Sequence, residues 1–180
     1  MQSILPDLES EAAVLSSAAP EFDAAMAGLR AARPLRDKRL AAAAEDLEGG
    51  RVTEAKRALS KVLDQRPRSP DALDLMAEIA GREGRHGEAE RLLARCVEAS
   101  PSIALYRYHY VLALDRLGRL DSAIAETGIL IEQSPRNPVF RNLKASLLKQ
   151  IGNYGEAVSW YRGLAEDCPR ASYVWNALGA

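Results

Sequence analysis

From residue 36 onward, apolar residues recur along the chain at helical spacing, in runs too long for strands. In L-D-L-M-A-E-I-A, Leu73, Met76, Ala77 and Ala80 fall on one helical face, and E-R-L-L-A-R-C-V continues the pattern with Leu93 and Cys96. The runs are punctuated at fixed places. Glycines stand at Gly50, Gly84, Gly118 and Gly152, each 34 residues after the last; alanines follow at Ala55, Ala89, Ala123 and Ala157, and prolines at Pro67, Pro101, Pro135 and Pro169. Each type has a physical job. Glycine takes the backbone conformation that a tight helix-to-helix turn needs. Alanine lets the second helix come close to the first. Proline lacks an N–H and disfavours helix in the residue before it, so the second helix stops there. The pattern predicts a helix, a short turn and an antiparallel helix, repeated four times.

The two ends fit this period less well. Leu5, Leu8 and Ala12 suit a first helix, and P-E-F-D-A-A-M-A-G-L-R-A-A-R-P suits a second, running to Pro34. One inserted residue brings Phe22, Met26, Leu29 and Pro34 into register. Residues 1–35 are therefore expected to form capping helices or a degenerate repeat that covers the terminal core. At the other end, S-Y-V-W-N-A-L-G-A opens a fifth repeat at Ser172 and breaks off at Ala180, in mid-helix. The natural protein is expected to run on. Left uncovered, Trp175 and Leu178 each forgo about 1.5–3 kcal/mol of burial, so this end is expected to favour self-association.

A 34-residue helix–turn–helix unit resembles the tetratricopeptide repeat (TPR). With residue 36 as position 1, the repeats are 36–69, 70–103, 104–137 and 138–171, with 172–180 the start of a fifth. The family's aromatic at position 24 appears as Tyr161, with Leu59, Leu93 and Thr127 in the other repeats. Its tryptophan at position 4 is replaced by Arg39, Leu73, Arg107 and Arg141, and appears only as Trp175. The resemblance implies an all-α fold, a right-handed α-solenoid whose first helices line a concave groove. It also implies that ligand contacts come from positions 2, 5, 9, 12 and 13 of those helices. These include Asp74, Glu78, Arg82, Tyr108, Leu112, Asp115, Arg116, Asn142, Ser146, Lys149, Tyr173 and Asn176. Two devices known in the family are missing. A carboxylate clamp needs lysine at position 5 and asparagine at position 9, where this chain has Leu40/Ala44, Asp74/Glu78, Tyr108/Leu112 and Asn142/Ser146. The asparagine ladder of O-linked N-acetylglucosamine transferase uses position 6, here Ala41, Leu75, His109, Leu143 and Ala177. Asn142 and Asn176 share position 5, and two stacked amides suit bidentate hydrogen bonding to an extended peptide. In L-Y-R-Y-H-Y, Tyr110 reads as core, Tyr106 as packed against the preceding helix, and Tyr108 as either a groove contact or surface packing.

N-P-V-F-R-N-L-K-A-S-L-L-K-Q-I-G-N-Y-G-E-A-V-S-W-Y and the P-R-A-S-Y-V-W-N-A-L-G-A terminus carry a narrower resemblance, to the repeat region of bacterial TPR-containing sulfotransferases. It covers mainly residues 137–180. That family's catalytic domain has no counterpart in these residues, so no catalytic residue carries over.

Charge and composition narrow the field of partners. The 24 basic and 25 acidic residues leave a net charge of -1, without the basic surplus that nucleic-acid binding needs. The groove positions mix both signs, which argues against a single-sign partner. No apolar run reaches the roughly 20 residues of a membrane span, and the N-terminus lacks the pattern of a signal peptide. Two cysteines suit a reducing compartment, so a cytoplasmic chain is expected. His86 and His109 have no ligand partners at metal spacing, and Cys96 reads as a core filler. Cys168, beside Pro169, reads as partly exposed. No cofactor, metal or catalytic constellation is expected. The chain reads as a binding module, docking a peptide, a protein or a neighbouring domain; as an alternative, the narrower resemblance implies the substrate-presenting N-terminal region of a bacterial sulfotransferase whose catalytic domain is absent from these residues.

Overall fold

The computed structural model describes residues 20–32, 37–169 and 174. Among these, nine helices are present: α1 (Pro20–Ala31), α2 (Lys38–Glu48), α3 (Val52–Gln65), α4 (Pro70–Arg82), α5 (His86–Ala99), α6 (Ala104–Arg116), α7 (Leu120–Gln133), α8 (Pro138–Gln150) and α9 (Tyr154–Asp167). No strand occurs among the described residues, and the fold is an all-α solenoid of helix pairs. The first helices of the four repeats are α2, α4, α6 and α8, and the second helices are α3, α5, α7 and α9.

The turn between the helices of each pair is made by glycine in the left-handed region. Gly50, Gly84, Gly118 and Gly152 have φ of 77°, 74°, 68° and 80°, and no other described residue has a positive φ. A Cβ at any of the four meets nothing within 4 Å, so the demand for glycine comes from the backbone alone. Second helices end at Gln65, Ala99, Gln133 and Asp167, two residues ahead of each repeat proline. The alanines five residues past the glycines are all buried, and in the pairs α2–α3, α4–α5 and α8–α9 this lets the two helices close up. Thr127, standing where the family places an aromatic, is also buried, and its hydroxyl donates to the Ala123 carbonyl at 2.7 Å.

Two arginines at the tryptophan position make a tie of another kind. Arg39 donates to Gln65 Oε1 at 2.9 Å, and Arg141 pairs with Asp167. In each case the partner lies 26 residues on, at the end of the same repeat's second helix. A long cation thus spans the gap that a packed indole fills elsewhere in the family.

The chain divides into two compact units. In the unit of residues 32–117, α2, α3 and α4 enclose a core that includes Leu40, Leu47, Leu59, Val62 and Ile79. Ala77, Ala80, Ala89 and Leu93 join Ala113 of α6 in a second cluster, and Leu73, Cys96 and Tyr106 form a third. The Cys96 thiol sits 3.1 Å from the Pro70 carbonyl, so it fills space and donates a weak hydrogen bond.

The other unit holds α7, α8, α9 and, from the far end of the sequence, α1. Helix α8 packs on α7 and α9, and α1 packs on α8. The capping role read for residues 1–35 did not foresee that contact. Residues 1–19 of that stretch, Pro34, and the predicted fifth-repeat residues Trp175, Leu178 and Ala180 lie outside the described residues. Cys168 is buried at the end of α9, not partly exposed, and burial pushes its thiol up, with Glu21 of α1 and Asp167 adding to the effect against Arg141.

Two stability outcomes follow. Gly84→Ala forces a side chain into the left-handed region and is expected to cost about 1–2 kcal/mol. The Asn137 side chain caps α8 by accepting from Val139 N at 2.9 Å. Asn137→Ala should therefore cost about 1 kcal/mol. Urea unfolding with an unchanged m-value measures both.

Candidate functional site

Consecutive first helices meet directly in the 32–117 unit: α2 touches α4, and α4 touches α6. Their shared face is set by three hydrogen bonds of one kind. Tyr106 Oη donates to Asp71 Oδ1 at 2.6 Å, His109 Nδ1 lies 2.6 Å from Asp74 Oδ1, and Arg82 Nη1 donates to the Leu47 carbonyl at 3.0 Å. All three link residues 35 apart, one more than the period, so each joins a first helix to the first helix of the next repeat. The sequence carried a signal for these rungs, since acidic residues at 71 and 74 stand one period plus one before Tyr106 and His109. Reading each position only within its own repeat missed it.

This frame changes the part that Asp74 plays. Read as a groove contact, Asp74 is 3% exposed and engaged with His109, so it supports the face without presenting itself there. A carboxylate removed from water needs such a partner. One turn further along α4, Glu78 is open, with 42% of its side chain exposed, and Arg82 Nη2 donates to its Oε1 at 2.6 Å. The crowding around Glu78 still pushes its carboxyl up, chiefly through desolvation, with the charge of Asp74 adding and Arg82 and His109 opposing. On α6, Tyr108, Leu112, Asp115 and Arg116 are half-buried, and the Tyr108 ring lies against His109 with centroids 5.9 Å apart. The face therefore offers an ion pair held in place by a backbone carbonyl, followed by an aromatic ring and an aliphatic side chain. It can meet a partner that carries both apolar and charged groups.

In the other unit, Asn142 and Ser146 of α8 are half-buried and Lys149 is exposed. Tyr173 and Asn176 lie outside the described residues, and with Asn176 goes the second member of the asparagine pair. The remaining aromatics of L-Y-R-Y-H-Y sit inward: Tyr106 is buried, and Tyr110 is half-buried with its hydroxyl 3.5 Å from Glu90. An open depression of about 710 Å³ lies between the start of α2 and the α3–α4 connection, lined by Asp37, Arg66 and Asp71 among others. There Asp37 caps α2, accepting from Arg39 N at 2.9 Å, and is paired with Arg39 and Arg66. The side-chain and backbone hydrogen bonds from Arg39, joined by that from Arg66, hold its carboxyl well below the usual carboxylate range. Those charges satisfy one another at a helix start. No group of three or more His, Cys, Asp or Glu is placed to hold a metal ion among the described residues. No described helix is long and apolar enough to cross a membrane.

Comparison with known proteins agrees with this architecture. A family model described as tetratricopeptide repeat matches residues 40–102, 75–138 and 112–172. No curated protein matches the sequence. Among solved structures, MamA from AMB-1 is 23% identical with a TM-score of 0.63, the match covering 71% of this chain and 75% of that one. YrrB, described as a TPR protein with an unusual peptide-binding site, is 16% identical with a TM-score of 0.69, covering 78% of this chain and 73% of its own. An O-GlcNAc transferase from Thermobaculum terrenum is 25% identical with a TM-score of 0.65, over 75% of this chain but 27% of the transferase. With the family model spanning most of its length, this chain belongs to the tetratricopeptide repeat family.

Proposed function

We propose that the chain is a binding scaffold whose first-helix face docks a peptide or protein partner, without catalysis of its own. The observation that carries this reading is the α4–α6 face, where Glu78, Arg82, Tyr108 and Leu112 stand beside a frame of buried Asp74 and half-buried His109. A frame held by part-buried hydrogen bonds keeps the contact groups in place before a partner arrives, which lowers the ordering cost of binding. The peptide-binding site named for YrrB supports the same use of the fold. Mixed charge with one aromatic ring suits a polypeptide, which offers both signs and apolar side chains along its length. Two free cysteines fit work in the reducing cytoplasm. The sulfotransferase resemblance of residues 137–180 has no counterpart among the relatives reported above and supplies no second reading.

A peptide-display selection against the immobilised chain, followed by anisotropy titration of the recovered peptides, tests the proposal. Tyr108→Ala and Arg82→Glu are each expected to weaken those peptides by about tenfold or more, as loss of an interface anchor does. Lys61→Glu, on the exposed side of the second helix α3, is expected to leave them unchanged. Peptides that bind all three variants alike would place recognition elsewhere.

A further inference from the structure

Helix α1 is the odd element of its unit. It comes from the N-terminal part of the chain, yet it packs on α8, the first helix of the fourth repeat. Two contacts fix which sides of α8 face its neighbours α7 and α9. Lys144 Nζ reaches the Ile124 carbonyl on α7 at 3.3 Å, while Arg141 pairs with Asp167 at the end of α9. A helix turns about 100° per residue, so the side facing away from both of these carries Val139, Leu143 and Ser146, with Asn142 at its edge. Val139 and Leu143 are buried all the same. Among the described helices of this unit the third packed on α8 is α1, and its own stripe of Phe22 and Leu29 is buried with Met26 half-buried between them. Asn142 and Ser146 are the positions that the repeat pattern assigns to ligand. A helix of the chain itself packs on the element that carries those positions.

Two features make that docking light. Only Phe22 and Leu29 of the twelve α1 residues are buried, against eight of thirteen in α4, so little apolar area holds the helix down. Glu21 also has a buried carboxylate oxygen, Oε2, with no hydrogen-bond partner, an arrangement that taxes the docked state and is relieved on release. Glu21 lies near enough to the end of α9 for its charge to add to the burial that pushes the Cys168 thiol up.

We propose that α1 is a tethered, displaceable occupant of the α8 face, closing it in the resting chain and yielding it to an amphipathic helix from a partner. The partner helix is defined by what it replaces: an aromatic residue followed by apolar residues four and seven positions on, as in Phe22, Met26 and Leu29. The inference rests on the reading of the array as a partner-binding scaffold, and its test uses a different unit and different residues.

The probe is a fluorescein-labelled peptide of residues 20–32, titrated into the full chain, with circular dichroism checking that each variant keeps its helices. In the wild type the tethered copy competes, so the peptide should bind weakly. The double variant Phe22→Ala, Leu29→Ala frees the face and should bind it at least about tenfold more tightly, and adding Asn142→Arg should abolish that gain. Hydrogen exchange on the full chain gives a second readout: α1 amides should exchange faster in the double variant and more slowly in Glu21→Leu. Equal peptide binding by the wild type and the folded double variant would overturn the proposal, as would α1 exchange unmoved by all these changes. A wild type that sediments as a dimer and a double variant that sediments as a monomer would also overturn it, because the occupant would then be a second copy's helix. Loss of the Tyr108 and Arg82 effects alone would defeat the α4–α6 reading and leave this result standing.

Discussion

A helix of thirteen or fourteen residues with one apolar stripe is barely stable alone in water, and it becomes part of a fold only when that stripe is covered. In this chain the first cover comes where the left-handed turn at Gly50, Gly84 or Gly152 returns the second helix along the first. The small side chains of Ala55, Ala89 and Ala157 then allow the two to close. One pair still leaves apolar surface open, so each pair needs a neighbour. Turn, close approach and neighbour are coupled, and this coupling spaces the glycines, alanines and prolines evenly. Helix ends, core clusters and the placing of first helices beside one another all descend from it.

The solenoid was legible because its determinants are local and repeated. A glycine at a fixed interval reports a backbone conformation directly, and a buried alanine reports a close contact; neither depends on distant sequence. The candidate site was legible only in part. Position numbers located Glu78, Arg82, Tyr108 and Leu112 on the first helices, but they also named Asp74, which the fold buries against His109. Periodicity describes which way a side chain leaves its helix. It does not describe what the next helix brings to meet it, and a carboxylate facing an imidazole becomes part of the frame. Helix α1 was legible as an amphipathic helix from Phe22, Met26 and Leu29, but its location was not. A contact between residues more than a hundred positions apart leaves no local trace.

Seen together, the two units use their first-helix faces differently. In residues 32–117 the part-buried frame underlies a mixed polar and aromatic surface. In the other unit, α8 meets a helix supplied by the chain itself. Within each unit, second helices cover one side of their first helices, α3 on α2, α5 on α4 and α9 on α8, and leave another side open to other contacts. What occupies that remaining side is decided by side chains that the solenoid does not need for its own cohesion. A repeat family can therefore vary its partners while keeping its architecture.

The rungs from Leu47 to Arg82, Asp71 to Tyr106 and Asp74 to His109 have a consequence for how this array comes apart. Stability in a linear array divides between what each repeat supplies alone and what adjoining repeats supply to each other. Hydrogen bonds that cross from one repeat to the next add only to the second share. They strengthen the link without strengthening either member, so opening one repeat strips its neighbour of buried partners. The 32–117 segment is thereby biased toward melting in a single step, and fraying from either end meets a barrier at every rung.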